Sequence, residues 1–236
     1  IKLEWYKVGY DRAMTECRLV GEPKKEGDGI TVAARLTLSP KSLSPILRAD
    51  VLYTFSAEGL GIDFRVNVRE NLPELPRFGI QFNMPEGNEK LKYFGMGPYE
   101  SYRDKCLASK MGVYRTNVSD HFEHYVRPQE NSAHTGTRWA QVSNLCGHGL
   151  VFTGDLSFNC SHFTPMMLTK TSHDYELSPL CETVVNLDYR QDGIGSASCG
   201  PALNPAYRFD EKEFLFSVKL KPAFVNDIDP FELVNE

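Results

Sequence analysis

The chain has 236 residues, with 41% hydrophobic and 24% charged side chains and a formal net charge of −5. That length supports a sizeable core in one large domain, and the composition is that of an ordinary globular chain. A negative balance without a basic block argues against nucleic acid or an anionic membrane as the main partner, and no apolar run approaches the ~20 residues that span a bilayer.

In chain order, Ile1-Lys2-Leu3-Glu4-Trp5 reads as a strand-like opening without the features of a signal peptide. A start without Met points to a piece of a longer protein. Alternation then dominates. Ile30, Val32, Ala34, Leu36 and Leu38 form one apolar strand face, and Leu47, Ala49, Val51, Tyr53 and Phe55 form the next. Glu58-Gly59 turns the chain into Leu60, Ile62, Phe64, Val66 and Val68, and Phe78, Ile80, Phe82 and Met84 follow Pro73 and Pro76. This predicts an antiparallel meander with one buried face. From Lys92 to Thr137 the pattern lapses into a long irregular span, of the kind that usually carries function. Strands resume at 138–142, 149–153, 156–160, 183–189 and 214–220. One short helix is expected, with Thr164 as its cap, Pro165 in its first position and Met166, Met167 and Leu168 behind. The economical division is one domain over 1–226 and a tail over 227–236.

Cys17, Cys106, Cys146, Cys160, Cys181 and Cys199 lack zinc-type spacing and read as reduced thiols, although their even number leaves disulfides open. Reduced thiols favour the cytoplasm, with the periplasm as the alternative. His121 and His124 read as a surface pair, and neither a metal nor a cofactor is expected.

The most informative stretch is Tyr93 to Asp104, Tyr-Phe-Gly-Met-Gly-Pro-Tyr-Glu-Ser-Tyr-Arg-Asp. Gly95, Gly97 and Pro98 predict a shaped loop, with Glu100, Tyr102, Arg103 and Asp104 packed into it. Two readings stand side by side: a rigid loop whose charges pair internally, and a ligand-facing rim with aromatic walls. Downstream come Tyr125-Val126-Arg127-Pro128-Gln129-Glu130-Asn131 and Gly136-Thr137-Arg138, then Thr171-Ser172-His173 and Gly193-Ile194-Gly195. Five ordered landmarks make the chain resemble the C-terminal small-chain domain of bacterial β-galactosidases of glycoside hydrolase family 2.

The resemblance implies an all-β, galactose-mutarotase-like β-supersandwich of two large antiparallel sheets. An earlier Arg-x-Pro-x-Asp-Asn-Asp stretch of the family has no match here, so the first strands are expected to be missing. It also implies an accessory role. Retaining glycosidases use two carboxylates about 5 Å apart, and in this family both belong to a TIM barrel that the chain does not contain, so no catalytic residue is carried over. Expected partners are that barrel in the same polypeptide, a β-galactoside or galactose bound by the full-length enzyme, and further copies in a homo-oligomer. The family's sugar-stacking Trp after the Gly-Ile-Gly turn is absent, and Cys199 or Gly200 stands in its place. Ser198, Cys199, Gly200 and Asn204 are therefore the substrate-side candidates. Gly95, Gly97, Pro98, Glu100, Tyr102, Arg103, Asp104, Pro128, Glu130, Asn131, Arg138 and His173 are structural candidates. Glu100 and Glu130 are expected to pair with Arg103, Arg127 or Arg138, and Arg103 and Arg138 to be buried. Two alternatives remain: an aldose 1-epimerase using a His acid and a carboxylate base, for which His121, His124 and His173 are available, and a free-standing carbohydrate-binding module.

Overall fold

The computed structural model describes residues 2–194 and 200–224. The opening is a helix, α1 (Lys2–Val8), where the sequence reads as a strand. Leu3 and Trp5 alternate as a strand would, but Glu4 near the start and Lys7 near the end suit a helix dipole. Gly9, at φ 84°, supplies the left-handed residue that ends the helix. Its N–H closes on the Trp5 carbonyl at 3.0 Å, and the Trp5 indole N–H donates to the Glu74 carbonyl at 2.8 Å.

The strands are β1 (Ala13–Leu19), β2 (Lys24–Glu26), β3 (Gly29–Pro40), β4 (Leu47–Ser56), β5 (Gly59–Val68), β6 (Arg77–Met84), β7 (Lys90–Gly97), β8 (Lys110–Asn117), β9 (His134–Ser143), β10 (His148–Ser161), β11 (Thr183–Gln191) and β12 (Glu213–Phe224). A second helix, α2, spans Pro165–Lys170. The protein is thus nearly all β. It divides into two compact units, 1–75 with 209–221, and 76–208 with 222–236.

The first unit is an antiparallel sheet in the order β1-β3-β4-β5-β12, with β2 also on β3. The alternation read from the sequence is realised along most of β4 and β5, whereas Ile30 on β3 and its register partner Phe55 on β4, at the end of their ladder, are exposed. Leu47, Ala49 and Val51 on β4, Ile62, Phe64, Val66 and Val68 on β5, and Phe214, Phe216 and Val218 on β12 are buried. Phe64 lies opposite Phe216 in the register, and their rings stack at 5.7 Å.

The second unit runs β6-β11-β10-β9-β7-β8, also antiparallel. The strands expected at 149–153 and 156–160 are one strand, β10, with a register shift between Thr153 and Leu156. The span from Lys92 to Thr137 is less irregular than its sequence implies, because Tyr93 to Gly97 belongs to β7 and Lys110–Asn117 forms β8. The glycines of β7 are not breaks. A Cβ on Gly95 would come within 3.0 Å of the Thr137 backbone, and one on Gly97 within 2.7 Å of the Tyr114 ring, so glycine allows neighbours to approach. The loop begins only at Pro98, after a cis Gly97–Pro98 bond. Helix α2 forms as expected, with the Thr164 hydroxyl accepting from the Met167 N–H at 3.1 Å. β9 and β11 are buried almost throughout: Trp139 to Ser143 and Thr183 to Asp188 are all buried. No described helix is long and apolar enough to cross a membrane.

Candidate functional site

Beyond Pro98 the chain is held by side chains of the second landmark segment. Glu100 is the hub. One carboxylate oxygen accepts from the Lys105 ammonium and the Tyr125 hydroxyl, and the other accepts from the Ser132 N–H at 2.9 Å. Burial would raise this carboxyl, but the hydrogen bonds from Lys105, Tyr125 and Ser132 outweigh it and hold Glu100 below the ordinary carboxylate value. Next along, the Ser101 N–H donates to the Ala133 carbonyl at 2.7 Å, and the Ser101 hydroxyl accepts from the Thr135 N–H at 3.0 Å. The buried Tyr102 hydroxyl accepts from the Ala133 N–H at 3.3 Å. Asn131 Oδ1 accepts from the Glu123 N–H and the Ser132 hydroxyl. Pro128 is buried in the same stretch. The two landmark segments are therefore one hydrogen-bonded body, which their separation in sequence concealed.

Arg103 and Asp104 leave that body and take hold of a third segment. The Arg103 guanidinium donates to the Ala206 and Arg208 carbonyls, both at 3.2 Å. Asp104 Oδ1 accepts from the Ile194 N–H at 3.2 Å. Two consecutive residues thus pin both ends of the loop between residues 193 and 208. Gly193 belongs to this contact, because a Cβ there would lie 2.9 Å from Asp104 Oδ2. Within the loop, Asn204 Oδ1 caps a short 3-10 turn by accepting from the Ala206 N–H at 3.0 Å. Gly200 is exposed, and a Cβ added to it would meet nothing within 4 Å. Gly195, Ser198 and Cys199 lie outside the described residues. Beside Arg103 is a cavity of about 150 Å³ lined by residues that include Tyr102, Ser157, Arg190, Gln191 and Asp192. The Ser157 hydroxyl, buried in its wall, has no hydrogen-bond partner.

A further ion cluster joins the landmark residue Glu130 to two residues outside the landmarks, Arg77 and Asp188. Arg77, at the start of β6, donates to Glu130 at 3.1 Å and to Asp188 on β11. Asn159 Nδ2 donates to Glu130 at 3.2 Å, and Gln191 Nε2 to Asp188 at 2.8 Å. The Asp188 side chain is 3% exposed and that of Glu130 18%. Burial raises both carboxyls, with Arg77 pulling the other way. Glu130 was expected to pair with Arg103, Arg127 or Arg138, but Arg77 is its partner; Glu100 pairs with Lys105 rather than an arginine. The signal was Asp188 itself, a carboxylate at the end of the largely apolar run Val184-Val185-Asn186-Leu187, whose burial as a charge calls for a cation. Gly79 makes room for it: a Cβ there would lie 2.5 Å from the Leu187 carbonyl.

The beta galactosidase small chain family matches residues 2–220. The chain belongs to that family. It is 33% identical to a beta-galactosidase of Staphylococcus xylosus over 94% of its own length and 22% of that protein, and 34% identical to one of Actinobacillus pleuropneumoniae over 91% and 21%. It therefore spans about a fifth of these relatives. Among solved structures it is similar to galactose mutarotase-like proteins of Clostridium acetobutylicum (TM-score 0.45, 10% identity, 89% of this chain and 67% of that one) and Lactobacillus casei (TM-score 0.41, 10%, 86% and 72%).

The remaining candidates of this small-chain domain are dispersed. Arg138 is exposed rather than buried and faces Asp155 at 3.5 Å. His173 is exposed beside Glu176 at 3.3 Å. His124 is exposed and meets Asp174 at 2.9 Å. His121 is not its surface partner: it is buried against His134, with the two Nε2 atoms 2.6 Å apart. His121 Nδ1 faces the Cys160 carbonyl at 2.9 Å and His134 Nδ1 the Met96 carbonyl at 2.8 Å. With burial lowering both imidazoles, the neutral pair shares one N–H across the Nε2 atoms, one ring donating and the other accepting. Burial, then the neighbouring His121, pushes His134 down to about 3. None of the histidines named for an epimerase lines the cavity beside Arg103. Among the described residues no group of His, Cys, Asp and Glu could hold a metal ion, and Cys17, Cys106, Cys146, Cys160 and Cys181 are free thiols.

Proposed function

We propose that this chain is the accessory small-chain domain of a β-galactosidase. It acts within a longer, homo-oligomeric protein whose catalytic barrel cleaves terminal β-galactosides, and it is inactive alone. Its contribution is the loop between residues 193 and 208, offered to the sugar at the rim of the barrel's active site, with Ser198, Cys199, Gly200 and Asn204 on the substrate side. The observation that carries this reading is the double anchorage of the loop by Arg103 and Asp104. A loop fixed at both ends presents a defined surface without ordering itself at each encounter. Belonging to the small-chain family, at about a fifth of the length of the relatives, supports the accessory role.

Two measurements test it. Highly purified chain is expected not to turn over a chromogenic β-galactoside, and turnover that follows the protein through chromatography would contradict the accessory role. In the full-length protein, Gly200→Trp adds a stacking face at a position with free space around it. It is expected to change KM or the transglycosylation ratio severalfold. Unchanged kinetics with an unchanged melting temperature would mean that the loop points away from the sugar.

A further inference from the structure

The face of β7, β8 and β9 carries a feature that neither the landmarks nor the loop explains. Alternate residues of a strand share a face. The register sets Lys92 opposite both Arg115 on β8 and Gln141 on β9, and sets Lys90 opposite Asn117. Directly opposed side chains in such a ladder stand about 5 Å apart at Cβ, and like charges so placed oppose the pairing. Lys92 and Arg115 are such a pair. Together with Lys90 they line a cleft of about 690 Å³ whose wall includes Gln141 and Asp120.

The polar groups within this cleft are unevenly matched. Lys90 donates to Asn117 Oδ1 at 2.9 Å, and Asn117 donates onward to Asp120 at 2.7 Å, so the carboxylate of Asp120, among the described lining residues, is already engaged. Lys92 holds its ammonium 5.5 Å from the centroid of the buried Trp139 ring, which fixes the direction of the charge. Gln141 decides the chemistry. It is 1% exposed, lines the cleft, and its Nε2 has no hydrogen-bond partner. A buried amide N–H without an acceptor is rare in a folded protein and points to an acceptor that binds there. Flanked by an ammonium and a guanidinium, that acceptor carries negative charge.

We propose that this cleft binds a small oxyanion, a phosphate or carboxylate group, with the Gln141 amide as buried donor and Lys92 and Arg115 as its charged clamp. The site lies apart from the loop between residues 193 and 208 and does not depend on its function. A free anion and a carboxylate from another molecule share this chemistry, so inorganic phosphate and acetate are the two probes.

The test uses the 236-residue chain labelled with 15N, its Gln141 side-chain amide assigned from the peak pair lost in Gln141→Met. Each probe is titrated against sodium chloride at matched ionic strength. A saturable shift of the Gln141 NH2 pair with phosphate or acetate is expected, and the tighter probe names the group. Arg115 is exposed, so Arg115→Met is expected to fold and to weaken binding about tenfold, the loss of one charge-assisted contact. Three results would overturn the proposal: no saturable shift with either probe, an equal shift with uncharged galactose, or undiminished affinity in folded Arg115→Met. If Arg115→Met does not fold, the parent titrations and the galactose control decide alone.

Discussion

Arg77 and Arg103 lie in the same unit and face opposite kinds of partner. Arg77 sits between Glu130 and Asp188, two carboxylates that burial raises and that it holds in place. Arg103 meets no carboxylate in its described contacts; it donates to two backbone carbonyls and fastens a loop. The first arrangement fixes strands β6 and β11 against each other and leaves little freedom for sequence change. The second fixes only where the chain enters and leaves a segment, so the residues between can change while the ends stay put. Glu100, Tyr102 and Asn131 belong with Arg77 in this respect, because each satisfies buried groups of the core. Gly200 and Asn204 belong with the loop. A shaped rim on a rigid base needs both kinds of contact.

That contrast breaks most visibly if Arg77 is removed. Arg77→Ala strands two largely buried carboxylates and is expected to cost about 3–5 kcal/mol in denaturant unfolding. Arg138→Ala, which removes only an exposed pair, is expected to stay within about 0.5 kcal/mol of the parent. Equal losses would erase the distinction between the interior and the surface. Gly79→Ala comes next. Its methyl group would press on the Leu187 carbonyl and Asp188, a clash worth about 1–3 kcal/mol. A parent-like urea midpoint would show that β6 and β11 can separate without penalty.

The buried histidine pair supplies a pH test of the interior. His134 is pushed down to about 3 in the folded chain, by burial and then by His121, against about 6.5 when unfolded. Between those values the unfolded chain binds more protons, so stability present at neutral pH is lost as pH falls through that window. The contribution is about 1.4 kcal/mol per pH unit for each extra proton bound on unfolding. Burial lowers His121 as well, so the double variant His121→Gln/His134→Gln is expected to show an acid loss shallower by about one to two protons' worth, read from urea unfolding at several pH values. Parallel profiles would mean that the pair titrates normally. The smallest expected effect lies on the loop: Gly200→Trp should leave stability within about 0.5 kcal/mol, since the new side chain enters open space. A large loss would place Gly200 in a packed environment.

Alternation and turn chemistry made most of the architecture legible. The faces of β4, β5 and β12 follow from every-other-residue hydrophobicity, and α2 follows from Thr164 and Pro165. Two local readings went wrong for one reason: a single residue type can serve opposite ends. The glycines of β7 read as breaks but allow close packing against Thr137 and Tyr114. Leu3 and Trp5 read as a strand, yet Gly9 closes a helix behind them. At the site, the landmark segments were visible, but their partners were not. Arg77 carries no local pattern, and its pairing with Asp188 spans 111 residues. His134 likewise meets His121 only through the fold.

Arg103 and Asp104 hold the loop between residues 193 and 208 by its ends. Amide hydrogen exchange of the parent and of the double variant Arg103→Ala/Asp104→Ala measures this directly. The expected result is loss of protection at Ile194 and from Ala206 to Arg208, with β7 and β9 amides exchanging as in the parent. Unchanged protection at Ile194 and Arg208, or loss spread evenly over the whole unit, would contradict it.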